Sequence, residues 1–186
     1  MSLSLAFPSV VLLVAASIAA IADVWKFKVH NVLTFPLLAS GLAYHGIADG
    51  WSGLGASALG VLFGFAVLLV PYAMGGVGAG DVKFMAGVGA WLGVSDAINV
   101  FVIAALAGGV YGVALILLTG KPSEALINLQ ILLFRLRAFG LHVGADERVE
   151  AEAKRSDRRR RLIPFAAMVA LGVVATTLFS WNLFRP

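Results

Sequence analysis

Two aspartates stand where a carboxylate is costly. Asp23 directly follows an apolar run ending at Ala22, and Asp81 follows Gly78-Ala79-Gly80 and opens another apolar run. An ionisable side chain at the edge of a membrane-type segment is expensive and is usually functional. Taken singly, Asp81 fits an ordinary helix cap and Asp23 a solvated loop; the pair points to chemistry. Two carboxylates sharing a partly desolvated site do not both ionise readily, so one keeps a proton while the other stays charged. That division suits water activation: the charged carboxylate takes a proton from water and the protonated one polarises a scissile carbonyl. The pair would titrate as a unit, so neither role falls to a particular residue. Gly78 and Gly80 are expected to let backbone approach closely and to take positive φ. Asp81 is expected at the start of a helix, where the dipole favours its charge. The remaining polar candidates are His30, His45, Asp49, Lys83 and Asp96. The chain has no Cys, which removes disulfides, thiolate zinc sites and thiol nucleophiles. It also lacks a His-Glu-x-x-His pair, so neither a metal nor a cofactor is expected.

The elements that must position these residues are membrane helices. Of the 186 residues, 60% are apolar and 13% charged, and mean hydropathy is +0.94. A soluble domain sits near 45–50% apolar and about 25% charged. A helix crosses the hydrocarbon with roughly 20 apolar residues. Leu3–Ala22, Val32–Ala48, Trp51–Met74, Ala97–Thr119 and Leu162–Leu183 approach that length, and the shorter Phe84–Val94 completes six. Thirteen of the 14 Lys and Arg fall in alternate loops: Lys26, Lys28, Lys83 and ten between Gly120 and Arg161. By the positive-inside rule this predicts an all-α polytopic protein with about six transmembrane helices and both termini outside the cytoplasm. It puts Asp23, His30, Asp81 and Lys83 at the cytoplasmic ends and His45, Asp49 and Asp96 at the outer ends. Only the first group can converge. Met1–Pro8 carries no Lys or Arg, which argues against a cleaved signal peptide.

A single membrane-embedded domain over residues 1–186 is expected, with one cytoplasmic loop of about 120–161. Within it Ala125–Phe134 reads as an interfacial helix opened by Ser123. The segment Ala145–Arg161 ends in Arg158-Arg159-Arg160-Arg161, a topology anchor attracted to anionic lipid. The net charge of +4 is explained by this arrangement, and nucleic acid is not expected as a partner.

The stretch Gly78-Ala79-Gly80-Asp81-Val82-Lys83-Phe84-Met85-Ala86-Gly87-Val88-Gly89-Ala90-Trp91-Leu92-Gly93 resembles the second-aspartate motif of the GxGD-type intramembrane aspartic proteases, and among them the type IV prepilin peptidases. Asp23-Val24-Trp25-Lys26-Phe27-Lys28-Val29-His30-Asn31 is similar to the first-aspartate motif, keeping the aspartate, the cations and Asn31, with His30 where the family usually has proline. Arg161-Leu162-Ile163-Pro164-Phe165 looks like the opening of the family's last span. The resemblance implies an endopeptidase of the bacterial inner membrane, with Asp23 and Asp81 catalytic and Gly78, Gly80, Lys83 and Asn31 supporting them. Its substrate would be a prepilin, a single apolar helix whose short basic leader is removed at the cytoplasmic face. Larger members carry a cysteine zinc segment and methylate the new N-terminus. Without Cys, this chain resembles the short members that process small Flp-type pilins. Peptidase activity without methyltransferase activity is therefore expected.

Lys83 is expected either to pair with an acidic group of the substrate or to stabilise Asp81, or else to serve only as a positive-inside residue. Phe84, Met85 and Trp91 are expected to be packing surface, with Gly87, Gly89 and Gly93 permitting close helix contact. Two other classes compete: a small transporter or channel subunit in which the aspartates relay protons, and an inactive scaffold of a pilus assembly machinery.

Overall fold

The computed structural model describes residues 3–26, 30–73, 77–119 and 165–183, and all of its regular structure among these is α-helical. Its helices are α1 (Leu3–Lys26), α2 (Asn31–Ala73), α3 (Ala79–Thr119) and α4 (Phe165–Leu183). The interfacial helix and basic segment expected within 120–161 lie outside the described residues, as does Lys28. Residues 1–108 with 164–186 form one compact unit. The second unit, 109–163, is described only as the continuation of α3 to Thr119.

Apolar residues alone would carry α2 far too long. Its 43 residues, if straight, would extend about 65 Å at 1.5 Å per residue, twice a hydrocarbon core. Gly50 interrupts it with φ 62 and ψ −145, and Gly93 interrupts α3 with φ 72 and ψ −175. Only glycine takes such angles without a Cβ penalty. At Gly50 the chain folds back, because Gly53 meets the backbone of His45, eight positions earlier. In a straight helix residues at that spacing would be about 12 Å apart. The breaks divide α2 into arms 31–49 and 51–73, and α3 into arms 79–92 and 94–119. Gly50 falls between the stretches Val32–Ala48 and Trp51–Met74, whereas Gly93 falls one residue inside the end of Phe84–Val94.

The short arm 79–92 is the centre of the bundle. Phe84, Met85, Val88 and Ala90 are fully buried and Trp91 nearly so. Leu37 and Gly41 of the first arm of α2 meet it at Gly87 and at Ala90, whereas Gly60 and Gly64 of the second arm meet it at Gly89 and Met85. The order of these contacts runs parallel to α3 in the first case and antiparallel in the second. Small residues are what permit such backbone approach. Ser57 donates to the carbonyl of Ala90 (2.6 Å), and Trp91 Nε1 donates to that of Leu37 (2.9 Å). Past the break, Val100 lies against Gly172 and Gly108 against Met168, so the second arm of α3 runs antiparallel to α4. Helix direction therefore alternates through six helical segments. One end of the bundle gathers the C-terminus of α1 and the N-termini of α2, α3 and α4.

Outside, the polarity of a soluble protein is reversed. Val10, Val14, Ile18 and Ile21 make an exposed stripe along α1, and Leu59, Leu62, Leu69 and Val70 do the same on α2. Exposed apolar surface on this scale marks an interaction surface. Since α2 and α3 are each long and apolar enough to cross a membrane, that surface fits lipid, and the chain is a membrane protein.

Two expectations are corrected. Gly93 lies in close contact, its Cα 3.1 Å from a Cβ added at Gly60, yet a Cβ of its own would meet nothing within 4 Å, so it is the positive φ of the break that requires glycine there. Gly78 and Gly80 are not the positive-φ residues, which among the described residues are Gly50 and Gly93.

Packing predicts a contrast among glycines. Gly60→Ala and Gly89→Ala each force a methyl into the facing backbone and should lower stability by about 1–3 kcal/mol. Gly55→Ala, with open space around it, should be neutral or stabilising by up to about 1 kcal/mol. Thermal unfolding of the three variants in detergent measures both.

Candidate active site

Asp23 lies in the last turn of α1 and is 5% exposed. A carboxylate so buried needs donors. They come from the first turn of α4: the Ala166 N–H donates to Asp23 Oδ2 at 2.9 Å, and the Ala167 N–H also donates to the carboxylate. The first amides of any helix lack intrahelical partners and carry the positive end of its dipole, so α4 gains a cap and Asp23 gains its donors in one contact.

Asp81 sits in the first turn of α3. Gly78 precedes the helix, and its carbonyl accepts from the N–H of Asp81 (3.1 Å) and of Val82 (3.3 Å). Asp81 Oδ2 reaches back to accept from the Gly78 N–H at 3.1 Å, the carboxylate half of a capping box. The cap reading of this residue is thus correct for one oxygen. The other, Oδ1, is buried with no hydrogen-bond partner. A Cβ at Gly78 would stand 3.1 Å from Oδ2, so glycine keeps the space into which the carboxylate folds back. Gly80 lies in the same first turn of α3.

The two aspartates, 58 positions apart in sequence, lie at one end of the bundle within electrostatic reach of each other. Lys83 is not part of that pair. Two positions along a helix lie on different faces. Its Nζ instead donates to Asn31 Oδ1 at 3.0 Å and stands 5.0 Å over the Phe35 ring. The expectation that Lys83 stabilises Asp81 directly is therefore replaced by a tie between the starts of α2 and α3. His30, exposed, offers its backbone carbonyl to the N–H of Leu33 (3.0 Å) and Thr34 (3.3 Å) and so opens α2.

The opposite end carries a separate polar group. His45 Nε2 is 3.0 Å from the Trp91 carbonyl and Nδ1 is 3.6 Å from Asp49 Oδ2. Phe7 and Tyr44 pack on Trp91 beside it, with ring centroids 6.0 and 5.3 Å away. His45 and Asp49 thus stay clear of the aspartate pair. The residues that sequence reasoning missed are Ala166 and Ala167. They act through backbone amides, and no side-chain pattern could have marked them.

A bundle of apolar helices with a pair of inward carboxylates at one end defines a helical membrane protein with a polar site built into its core. The sequence model of the Type IV leader peptidase family matches residues 10–113, which include both aspartates, and the chain belongs to this family. It is similar to the prepilin leader peptidase/N-methyltransferase of Aeromonas salmonicida (strain A449), 35% identical over 103 residues, 52% of this chain and 35% of that protein. The protein of the same description from Bacillus subtilis (strain 168) is 35% identical over 121 residues, 63% of this chain and 48% of its own length. The matched stretch thus spans less than half of either relative. No solved structure matches the chain.

The tie between α2 and α3 predicts a measurable coupling. Asn31→Ala and Lys83→Met, made singly and together, should give a pairwise interaction of about 0.5–1 kcal/mol in a double-mutant cycle read by unfolding in detergent, as for an exposed charge-assisted bond.

Proposed function

We propose that this chain is a prepilin peptidase that cleaves the short basic leader of a small, Flp-type pilin precursor at the cytoplasmic face of the bacterial inner membrane. The observation that carries the reading is that Asp23 and Asp81 lie within electrostatic reach at one end of an apolar bundle in a member of this family. In the proposed reaction one aspartate, ionised, accepts a proton as water oxygen bonds to the scissile carbonyl carbon. The other gives its proton to the carbonyl oxygen, forming a neutral gem-diol. The newly protonated aspartate then gives its proton to the leaving nitrogen while the other takes one from a gem-diol hydroxyl, so the C–N bond breaks, the carboxylic acid and the amine form, and the pair is regenerated. A polar pathway for ions would set ionisable groups at several depths, whereas these two share one end.

Six crossings with both termini outside are supported by the charge pattern of the sequence, in which 13 of 14 Lys and Arg fall in alternate stretches between the apolar runs. A pilin precursor is one apolar helix with a cationic leader, so lateral docking in lipid brings its cleavage point to the aspartates' depth. The reading leaves out N-methyl transfer, because the chain holds no Cys for the zinc segment that the longer relatives' resemblance implies.

Co-expression with a small prepilin tests this. Wild type should shift the pilin to its mature mobility, and Asp23→Asn or Asp81→Asn, at matched membrane levels, should reduce processing by at least about a hundred-fold. Mature pilin made by the wild-type chain alone should carry an unmethylated N-terminus by mass spectrometry. Processing that survives either substitution rejects the two-aspartate mechanism.

A further inference from the structure

The two aspartates are unequal in their surroundings, and the inequality comes from α4. Among the described residues Asp23 accepts from two backbone N–H groups at a helix N-terminus. Those amides carry the positive end of the helix dipole and favour a charged acceptor, so the first turn of α4 suits Asp23 as an ionised carboxylate. Asp81 receives one donor, at Oδ2 from Gly78, and its Oδ1 is buried without a partner. Ala166 and Ala167 lie outside residues 10–113, the stretch through which the family is matched.

We infer that the first turn of α4 is a positioning element of the catalytic site: its Ala166 and Ala167 amides clamp Asp23 as the proton-accepting carboxylate, and Asp81 Oδ1 is left as the oxygen that delivers a proton. The inference deepens the peptidase reading and rests on it for the word catalytic. Under it, water's proton passes to Asp23 and the proton on Asp81 Oδ1 passes to the scissile carbonyl oxygen, so charge is conserved in the step. The clamp works in both directions. It fixes the Asp23 carboxylate, and Asp23 fixes the end of α4, since the helix start and the carboxylate share the same bonds.

The absence of Cys makes a clean test available. Gly108 and Met168 approach closely enough, 4.0 Å from an added Cβ to Met168 Cγ, for Gly108→Cys with Met168→Cys to report whether the first turns of α4 are seated. In that background Asp23→Ala should slow cross-linking several-fold, whereas Asp23→Asn, whose amide oxygen still accepts, should retain it. Ala166→Pro removes one donor in the first turn of α4, where the amide has no intrahelical partner to lose. It should cross-link like the parent, yet lower kcat for leader cleavage about ten-fold or more with KM within about two-fold. Ala166→Gly keeps the N–H and should keep at least about half of the activity.

Wild-type kcat in a cross-linking Ala166→Pro enzyme overturns the inference, as does an Asp23→Ala chain that cross-links at the parental rate. Should Ala166→Pro itself lose the cross-link, the Asp23→Ala arm decides. A parent chain that cleaves no prepilin rejects the peptidase reading instead, and the cross-linking arms still judge the clamp on their own.

Discussion

A carboxylate can stay inside an apolar bundle only if protein groups replace the hydrogen bonds that water gave it. At Asp23 that replacement comes from helix α4, whose Ala166 N–H lies 143 positions away in sequence and 2.9 Å away in space. The need is mutual. An α-helix begins with amides that have no partner within it, and an N-terminus buried without one is unfavourable. Here one contact settles both deficits and joins the end of α1 to the start of α4. The arrangement at Asp81 is local by contrast: its partner is the Gly78 amide just before its own helix, and one oxygen is left over.

Around this contact the packing is set by close approach. Hydrophobic burial offers little between helices that could equally face lipid tails, so association depends on fitting surfaces and on small residues. The arm 79–92 shows the result. Gly60 against Gly89 and Gly64 against Met85 bring backbones together on one side, while Leu37 fills the space over Gly87 on the other. Phe84 and Met85 are then enclosed completely. The arm is short because Gly78 opens it and the break at Gly93 ends it, and its neighbours surround what lies between. Its N-terminus carries Asp81, so seating this arm also seats the second carboxylate.

The two ends of the bundle are chemically distinct. One holds the aspartates, with Lys83 turned away toward Asn31 and Phe35. The other holds His45 and Asp49 beneath an aromatic group of Phe7, Tyr44 and Trp91. Lys83 illustrates that neighbours in a motif need not be partners in space. It belongs with Asp81 in sequence, yet helix geometry sends the two side chains to different neighbours.

By itself the sequence determined the apolar runs, the break between Ala48 and Trp51 and the two aspartates, because hydrophobic runs and costly charges are properties of each segment alone. It marked Asn31 and Lys83 together without showing that they bond. It assigned Gly93 to close contact, although its positive φ is what requires glycine there. It gave no sign of Ala166 or Ala167, since a backbone amide has no residue-type signature. Only tertiary structure decided that Asp23 and Asp81 lie within electrostatic reach, which oxygen of Asp81 lacks a partner, and that α4 supplies the donors to Asp23. Those facts depend on which helix ends come together, and that is fixed by packing across the whole bundle.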